Sequence, residues 1–139
     1  MRVLLADDQA EVRSALRLIV EQLVGYEVVG EAADAPALLA ACKELHPEIV
    51  LLDWELPGAS PEALAELRRM LPGAPVVALS ARPHMGAEAR AGGADAFVCK
   101  GDPPRKLIEA LDGLWPGRSG DGASRRQERR ERRWKRRGR

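Results

Sequence analysis

VLLADDQAEVRSAL, residues 3–16, changes character in its middle. Val3–Ala6 is a short apolar run, and two adjacent acids, Asp7 and Asp8, stop it. Beyond them Val12, Ala15, Leu16, Ile19 and Leu23 recur at helical spacing. A buried strand followed at once by an amphipathic helix is the first half of a βαβ unit. The remaining chain repeats it. Apolar runs at Tyr26–Val29, Ile49–Leu52, Pro75–Leu79 and Ala96–Cys99 are too short for buried helices and read as strands.

Between these runs lie helical patterns with start signals. Asp34 precedes the second helix, with Pro36 in its first turn, and Ser60 precedes the third, with Pro61 at the first helical position. Asp102, followed by Pro103 and Pro104, is the expected cap of the last. The fourth, Met85–Ala91, contains Gly86 and ends in Gly92-Gly93, so it should be short. Five strands alternating with five helices predict an α/β fold with a parallel sheet covered on both faces. The flavodoxin-like (βα)5 doubly wound arrangement, strand order 2-1-3-4-5, is adopted by analogy. It gathers ligands at the carboxyl ends of the strands.

Charge divides the 139-residue chain. Residues 118–139 hold 11 Lys/Arg against 3 Asp/Glu, a net of +8, and the preceding body carries −7. The expected organisation is one domain over residues 1–117 and a disordered, Arg-rich tail over 118–139, which lacks the aliphatic residues needed to repay ordering. A second reading of the tail is phosphate-directed nucleic-acid contact, with Trp134 stacking on a base. No apolar run approaches the roughly 20 residues of a membrane helix, and no signal-peptide layout opens the chain. The expected location is the cytoplasm. Cys42 and Cys99 are isolated and read as small buried hydrophobes.

The carboxyl edge of that sheet decides the chemistry. Asp7 and Asp8 follow the first strand, Asp53 the third, Ser80 the fourth and Lys100 the fifth. Singly, each has a plain structural explanation. Asp8-Gln9-Ala10-Glu11 fits a capping box, Asp53 suits a solvated strand end, Ser80 a helix cap and Lys100 a surface position. Surface accidents would scatter over both edges, and these five do not. Carboxylates about 4 Å apart repel by roughly 4 kcal/mol at an effective dielectric near 20. Lys100 supplies one positive charge, and Mg²⁺, a hard cation that takes carboxylates and phosphate oxygens together, suits the rest. Such a site fits phosphoryl transfer, with an aspartate as nucleophile.

These residues resemble the receiver domain of two-component response regulators. The set Asp7-Asp8, Asp53, Ser80 and Lys100, the loop LLDWELPG with Pro57 and Gly58, and the approach AGGADAFVCK all match that family's pattern. The resemblance implies that Asp53 accepts a phosphoryl group from a histidine kinase, or through a phosphotransfer protein. It implies that Asp7, Asp8, Asp53 and the Glu55 carbonyl hold Mg²⁺. Ser80 and Lys100 then stabilise the phosphoryl group, and Phe97 is the switch aromatic. Output would pass through the fourth helix, fifth strand and fifth helix to a partner or second copy, because residues 118–139 are too few for an effector domain. The molecule would catalyse only its own phosphorylation and dephosphorylation. Gly101 stands where the family usually has a proline after the lysine, and Phe97 lacks the commoner tyrosine's hydroxyl. Glu55 and Arg82 could pair over the site and control access to it. The alternative is a degenerate receiver whose basic tail binds nucleic acid. A haloacid-dehalogenase-type hydrolase also uses Mg²⁺ and an aspartate, but in an early D-x-D pair that this chain lacks.

Overall fold

The computed structural model describes residues 1–115. A five-stranded parallel sheet runs in the order β2-β1-β3-β4-β5, as expected. Its strands are β1 (Arg2–Ala6), β2 (Glu27–Ala32), β3 (Ile49–Asp53), β4 (Val76–Ser80) and β5 (Ala96–Cys99). With α1 (Ala10–Glu21), α2 (Ala35–Leu45), α3 (Pro61–Met70) and α4 (Gly86–Ala91) it makes one compact unit, Met1–Asp102. The last helix, α5 (Pro104–Leu114), falls in a second unit beginning at Pro103. Its own stripe buries Leu107 and Leu111. The tail of residues 118–139 lies outside the described residues.

Burial explains the strands. Every residue of β3 and β4 is buried, as in a sheet covered on both faces. Leu4, Ala6, Val50, Leu52 and Val76 form one core cluster with Leu38 and Cys42 of α2 and Leu67 of α3. The alternate residues Val3, Leu5, Ile49, Leu51 and Val77 are equally buried and point to the opposite face. Asp34 and Ser60 cap α2 and α3 as predicted, accepting from the amides of Ala37 at 2.9 Å and Ala63 at 3.1 Å. His46 closes α2 in the left-handed region, at φ 46°.

Four expectations need correction. β2 runs on through Gly30 to Ala32 rather than stopping at Val29. Gly30 is there for packing, since a Cβ would stand 2.7 Å from the Leu45 side chain and 3.2 Å from Leu4. Asp102 does not cap α5. Pro104 occupies the first helical turn and Pro103, extended at φ −64°, ψ 154°, takes the cap position, which leaves Asp102 to accept from the Cys99 amide at 3.2 Å. The capping box at Asp8 also fails, because α1 starts one residue later, from Gln9, with no side-chain cap. Cys42 is buried, its thiol pushed up to about 11 by that burial, whereas Cys99 is only half-buried. α4 is a six-residue helix after a 3₁₀ turn at Pro83–Met85, and aromatic rings meet a glycine at each end. A Cβ on Gly86 would lie 3.3 Å from Phe97, and one on Gly92 would lie 2.7 Å from Trp54.

Candidate functional site

The parallel sheet ends in carboxylates. Asp7 follows β1, and its amide continues the β1–β2 ladder by donating to the Ala32 carbonyl at 3.0 Å. That register turns its side chain inward, fully buried. Asp7 Oδ1 accepts from the Gln9 amide at 2.8 Å, and its carbonyl accepts from Arg13 at 2.7 Å. Asp8 is exposed. Asp53 ends β3, 2% exposed, its Oδ1 accepting from the Glu55 amide at 3.0 Å. Asp7, Asp8 and Asp53 each bring a carboxylate oxygen within 4.8 Å of the others.

Among the described residues one side-chain cation, Lys100, is ion-paired with the cluster. Lys100 Nζ lies 2.6 Å from Asp7 Oδ2 and 3.5 Å from Asp53 Oδ2. Lys100 thus pairs with both carboxylates, and the nearer partner is Asp7. Asp7 Oδ2 is buried and has no other partner among the described residues, so it draws the ammonium. Burial works against the Lys100 charge, and the two carboxylates outweigh it, so the ammonium is held above its usual range. Asp53 moves the other way. Burial raises its carboxyl above the ordinary value, with Asp7 adding to the rise, and the Glu55 amide and Lys100 offset only part. The pocket therefore holds more negative charge than it can neutralise alone.

Ser80, fully buried at the end of β4, points to neither a helix nor Asp7. Its hydroxyl donates to Glu55 Oε1 at 3.1 Å and accepts from the Arg82 amide at 3.0 Å. Arg82 Nε reaches the other Glu55 oxygen at 3.1 Å. Glu55, Ser80 and Arg82 thus form one connected strip beside Asp53. Phe97, opposite Ala78 in the β4–β5 ladder, packs on α4 with Ala89 and Ala94. Trp54 donates its amide to Leu79 at 2.8 Å, and its ring joins that cluster to the α2–α3 core. Beside it a cavity of about 340 Å³ is lined by Asp53, Leu64 and Leu67 among others.

Arg13 is the site residue that sequence reading passes over. Its only advance signal is a second arginine four residues on, which puts both on one face of α1. Their shared acid, Glu31, is 18 residues from Arg13 on β2 and announces nothing locally.

An open parallel sheet with acids and a lysine converging at its carboxyl edge, β1 and β3 side by side, defines the class of flavodoxin-like signalling receivers. The model for the response regulator receiver domain matches residues 3–112. The chain belongs to that family. Chemotaxis protein CheY of Thermotoga maritima is 36% identical over 114 residues, covering 80% of this chain and 94% of the relative. The response regulator UvrY of Escherichia coli is 28% identical over 120 residues, 84% of this chain but 55% of UvrY. A protein-glutamate methylesterase/protein-glutamine glutaminase of Agrobacterium fabrum is 36% identical over 105 residues, 73% of this chain and 30% of that protein. The signal receiver domain of NarL from Mycobacterium tuberculosis superposes with a TM-score of 0.70 at 30% identity, over 79% of this chain and 91% of that one. Receiver domains of this family are phosphoacceptors in two-component signalling, bind Mg²⁺ at an acidic pocket, and interact with histidine kinases or phosphotransfer proteins. No described helix is long and apolar enough to cross a membrane.

Proposed function

We propose that Asp53 is the phosphoacceptor of a two-component relay, and that its phosphoryl group comes from a histidine kinase or phosphotransfer protein. The observation that carries this is charge. Three acids within 4.8 Å are met by one ammonium among the described residues, and two of the acids are buried. At about 4.8 Å each ionised pair costs roughly 3.5 kcal/mol at an effective dielectric near 20. Such an arrangement fits a divalent cation, held by Asp7, Asp8, Asp53 and the Glu55 carbonyl. Bound there, Mg²⁺ would supply the positive charge that a phosphoryl group's oxygens require.

The chain's own groups do the rest. An Asp53 oxygen attacks phosphorus, the phosphorus–nitrogen bond to the donor histidine breaks, and the leaving imidazole takes up a proton. Lys100, already between Asp7 and Asp53, neutralises the incoming oxygens. Ser80 leaves Glu55 to donate to the phosphoryl group. Phe97, packed on α4, follows that movement, so the output is the surface of α4 and β5, presented to a partner or to a second copy. The Glu55–Arg82 pair stands beside the acceptor and limits the approach of water. We read the cytoplasm as its location, and its catalysis as confined to its own phosphorylation and dephosphorylation.

The alternative of a degenerate receiver acting through nucleic-acid binding by residues 118–139 has no support from the pocket, which lacks none of the five residues. The test is intact mass after incubation with acetyl phosphate and Mg²⁺. One phosphoryl group should add to the unsubstituted chain and none to Asp53→Ala. Uptake by both, or by neither, refutes the assignment.

A further inference from the structure

The segment that carries Asp7 and Asp8 is thinly anchored. α1 begins without a side-chain cap, and Asp8 is exposed. Asp7 is tied through its amide to Ala32, through its Oδ1 to the Gln9 amide and through its Oδ2 to Lys100 at 2.6 Å, but none of these holds the turn from within α1. Its carbonyl has one donor among the described residues, Arg13 Nη1 at 2.7 Å. That guanidinium is itself fixed. Arg13 Nε donates to Glu31 Oε1 at 2.8 Å, and Arg17 grips Glu31 Oε2 through Nε at 2.9 Å and Nη2 at 2.8 Å. Arg17 also reaches Glu21 at 3.0 Å, one helical turn on. The contacts join α1, the end of β2 and the acidic segment. Arg13 is the one member that touches the segment.

Two roles for Arg13 have opposite signs. As a charge beside three carboxylates, a guanidinium opposes any cation entering the pocket, and removing it strengthens cation binding. As a tie, it holds the Asp7 carbonyl, and through it the turn that presents Asp7 and Asp8. Removing it then weakens cation binding. Glu31 decides between them. Its carboxylate stands 2.8 Å from Arg13 Nε, so the guanidinium charge is met by an opposite charge in direct contact and its field at the pocket is reduced. What remains is the geometric constraint.

We propose that Arg13 is a positioning residue: by clamping the Asp7 carbonyl to Glu31 it pre-organises Asp7 and Asp8 for a divalent cation. The inference rests on the reading of Asp7, Asp8 and Asp53 as the cation's ligands. Groups that orient metal ligands from behind are worth about 10–100-fold in affinity.

The test uses the full chain and two readouts. Mg²⁺ affinity comes from calorimetric titration, and exchange of the Gln9 amide is followed by NMR in chelator. Arg13→Met should weaken Mg²⁺ by about tenfold and speed Gln9 exchange in the absence of metal. Arg17→Met removes the same charge from the same cluster but leaves Arg13 in contact with both Glu31 and the Asp7 carbonyl, and should change both readouts by no more than about twofold. If Arg13→Met fails to fold, Arg13→Lys serves instead. It keeps the charge, cannot span both acceptors, and should weaken Mg²⁺ while Arg17→Lys does not. Unchanged or tighter binding in the Arg13 variants overturns the proposal, as does equal weakening in the Arg17 variants. Unchanged Gln9 exchange overturns the tie whatever the metal does. Absence of saturable Mg²⁺ binding by the unsubstituted chain overturns the ligand reading beneath it.

Discussion

Two arginine–carboxylate pairs of nearly equal length stand at opposite ends of the sheet. At the amino end Arg68 is 3.2 Å from Asp95; at the carboxyl end Arg82 is 3.1 Å from Glu55. Their settings differ. Asp95 is 2% exposed and Arg68 22%, against 34% for Glu55 and 64% for Arg82. Asp95 Oδ2 also accepts from the Val76 amide at 2.7 Å, while Arg68 donates to the carbonyls of Ala74 and Gly93. That pair closes α3, the start of β4 and the turn before β5 into one satisfied unit. Burial lowers the Arg68 guanidinium from its ordinary value. Among the described residues the carboxyl end has three acids to one lysine, with the Arg13–Glu31 and Arg82–Glu55 pairs beside them. One end of the sheet uses its charges to tie the fold together, and the other keeps charge for a ligand.

The largest effect should come from breaking the tied end. Asp95→Ala strands a half-buried guanidinium and the Val76 amide together. Removing one member of a buried pair costs about 3–5 kcal/mol, and the loss should appear in urea denaturation as a lower midpoint at unchanged slope. Asp95→Asn, which can still accept from Val76, should lose less. A loss below about 1 kcal/mol for the alanine variant would place Arg68 among ordinary surface cations.

The charged end should respond with the opposite sign. Asp53→Asn removes one of three mutually repelling acids, and leaves Lys100 with Asp7 at 2.6 Å. Burial already disfavours the Asp53 charge, so a neutral isostere should be more stable in chelator and unfold at a higher temperature than the parent. Saturating Mg²⁺ should narrow or reverse the difference, because only the acid gains from the cation. A variant less stable than the parent in chelator would mean that the Asp53–Lys100 attraction outweighs the crowding.

This contrast is only partly legible in the sequence. The fold is, because strand and helix periods alternate cleanly and Asp34, Ser60 and their following prolines mark true helix starts. The acids, Ser80 and Lys100 are also legible, since each follows a strand and a parallel sheet brings strand ends to one edge. Local patterns fail where two uses compete for one residue. Asp8 fits a capping box, but Asp7 Oδ1 takes the Gln9 amide and the helix starts one residue later. Asp102 looks like a cap, but two prolines move the cap onward. Gly30 looks like a strand end, but it makes room for Leu45. The long-range ties are invisible for a different reason. Arg13–Glu31 and Arg68–Asp95 join residues 18 and 27 positions apart, and charged side chains at those distances find one another only once the register of the sheet is set.

The smallest effect on stability, and the most specific on function, should come from the exposed pair. Arg82→Ala breaks a contact whose cationic side chain is 64% exposed, so stability should change by less than about 1 kcal/mol. The functional consequence runs through Ser80. Glu55 is held by Arg82 on one oxygen and accepts from the Ser80 hydroxyl on the other. Without Arg82, Glu55 is freer to leave, Ser80 is released to the phosphoryl group more easily, and the strip beside Asp53 opens to water. The expected outcome is faster loss of the phosphoryl group, by up to about fivefold, the rate equivalent of roughly 1 kcal/mol. Decay of the phosphorylated species by intact mass measures it, and Glu55→Gln separates the two causes. The amide still accepts from Ser80 but pairs weakly with Arg82, so decay like that of Arg82→Ala assigns the effect to access. Decay like that of the parent assigns it to the charge of Arg82 acting directly on the phosphoryl oxygens.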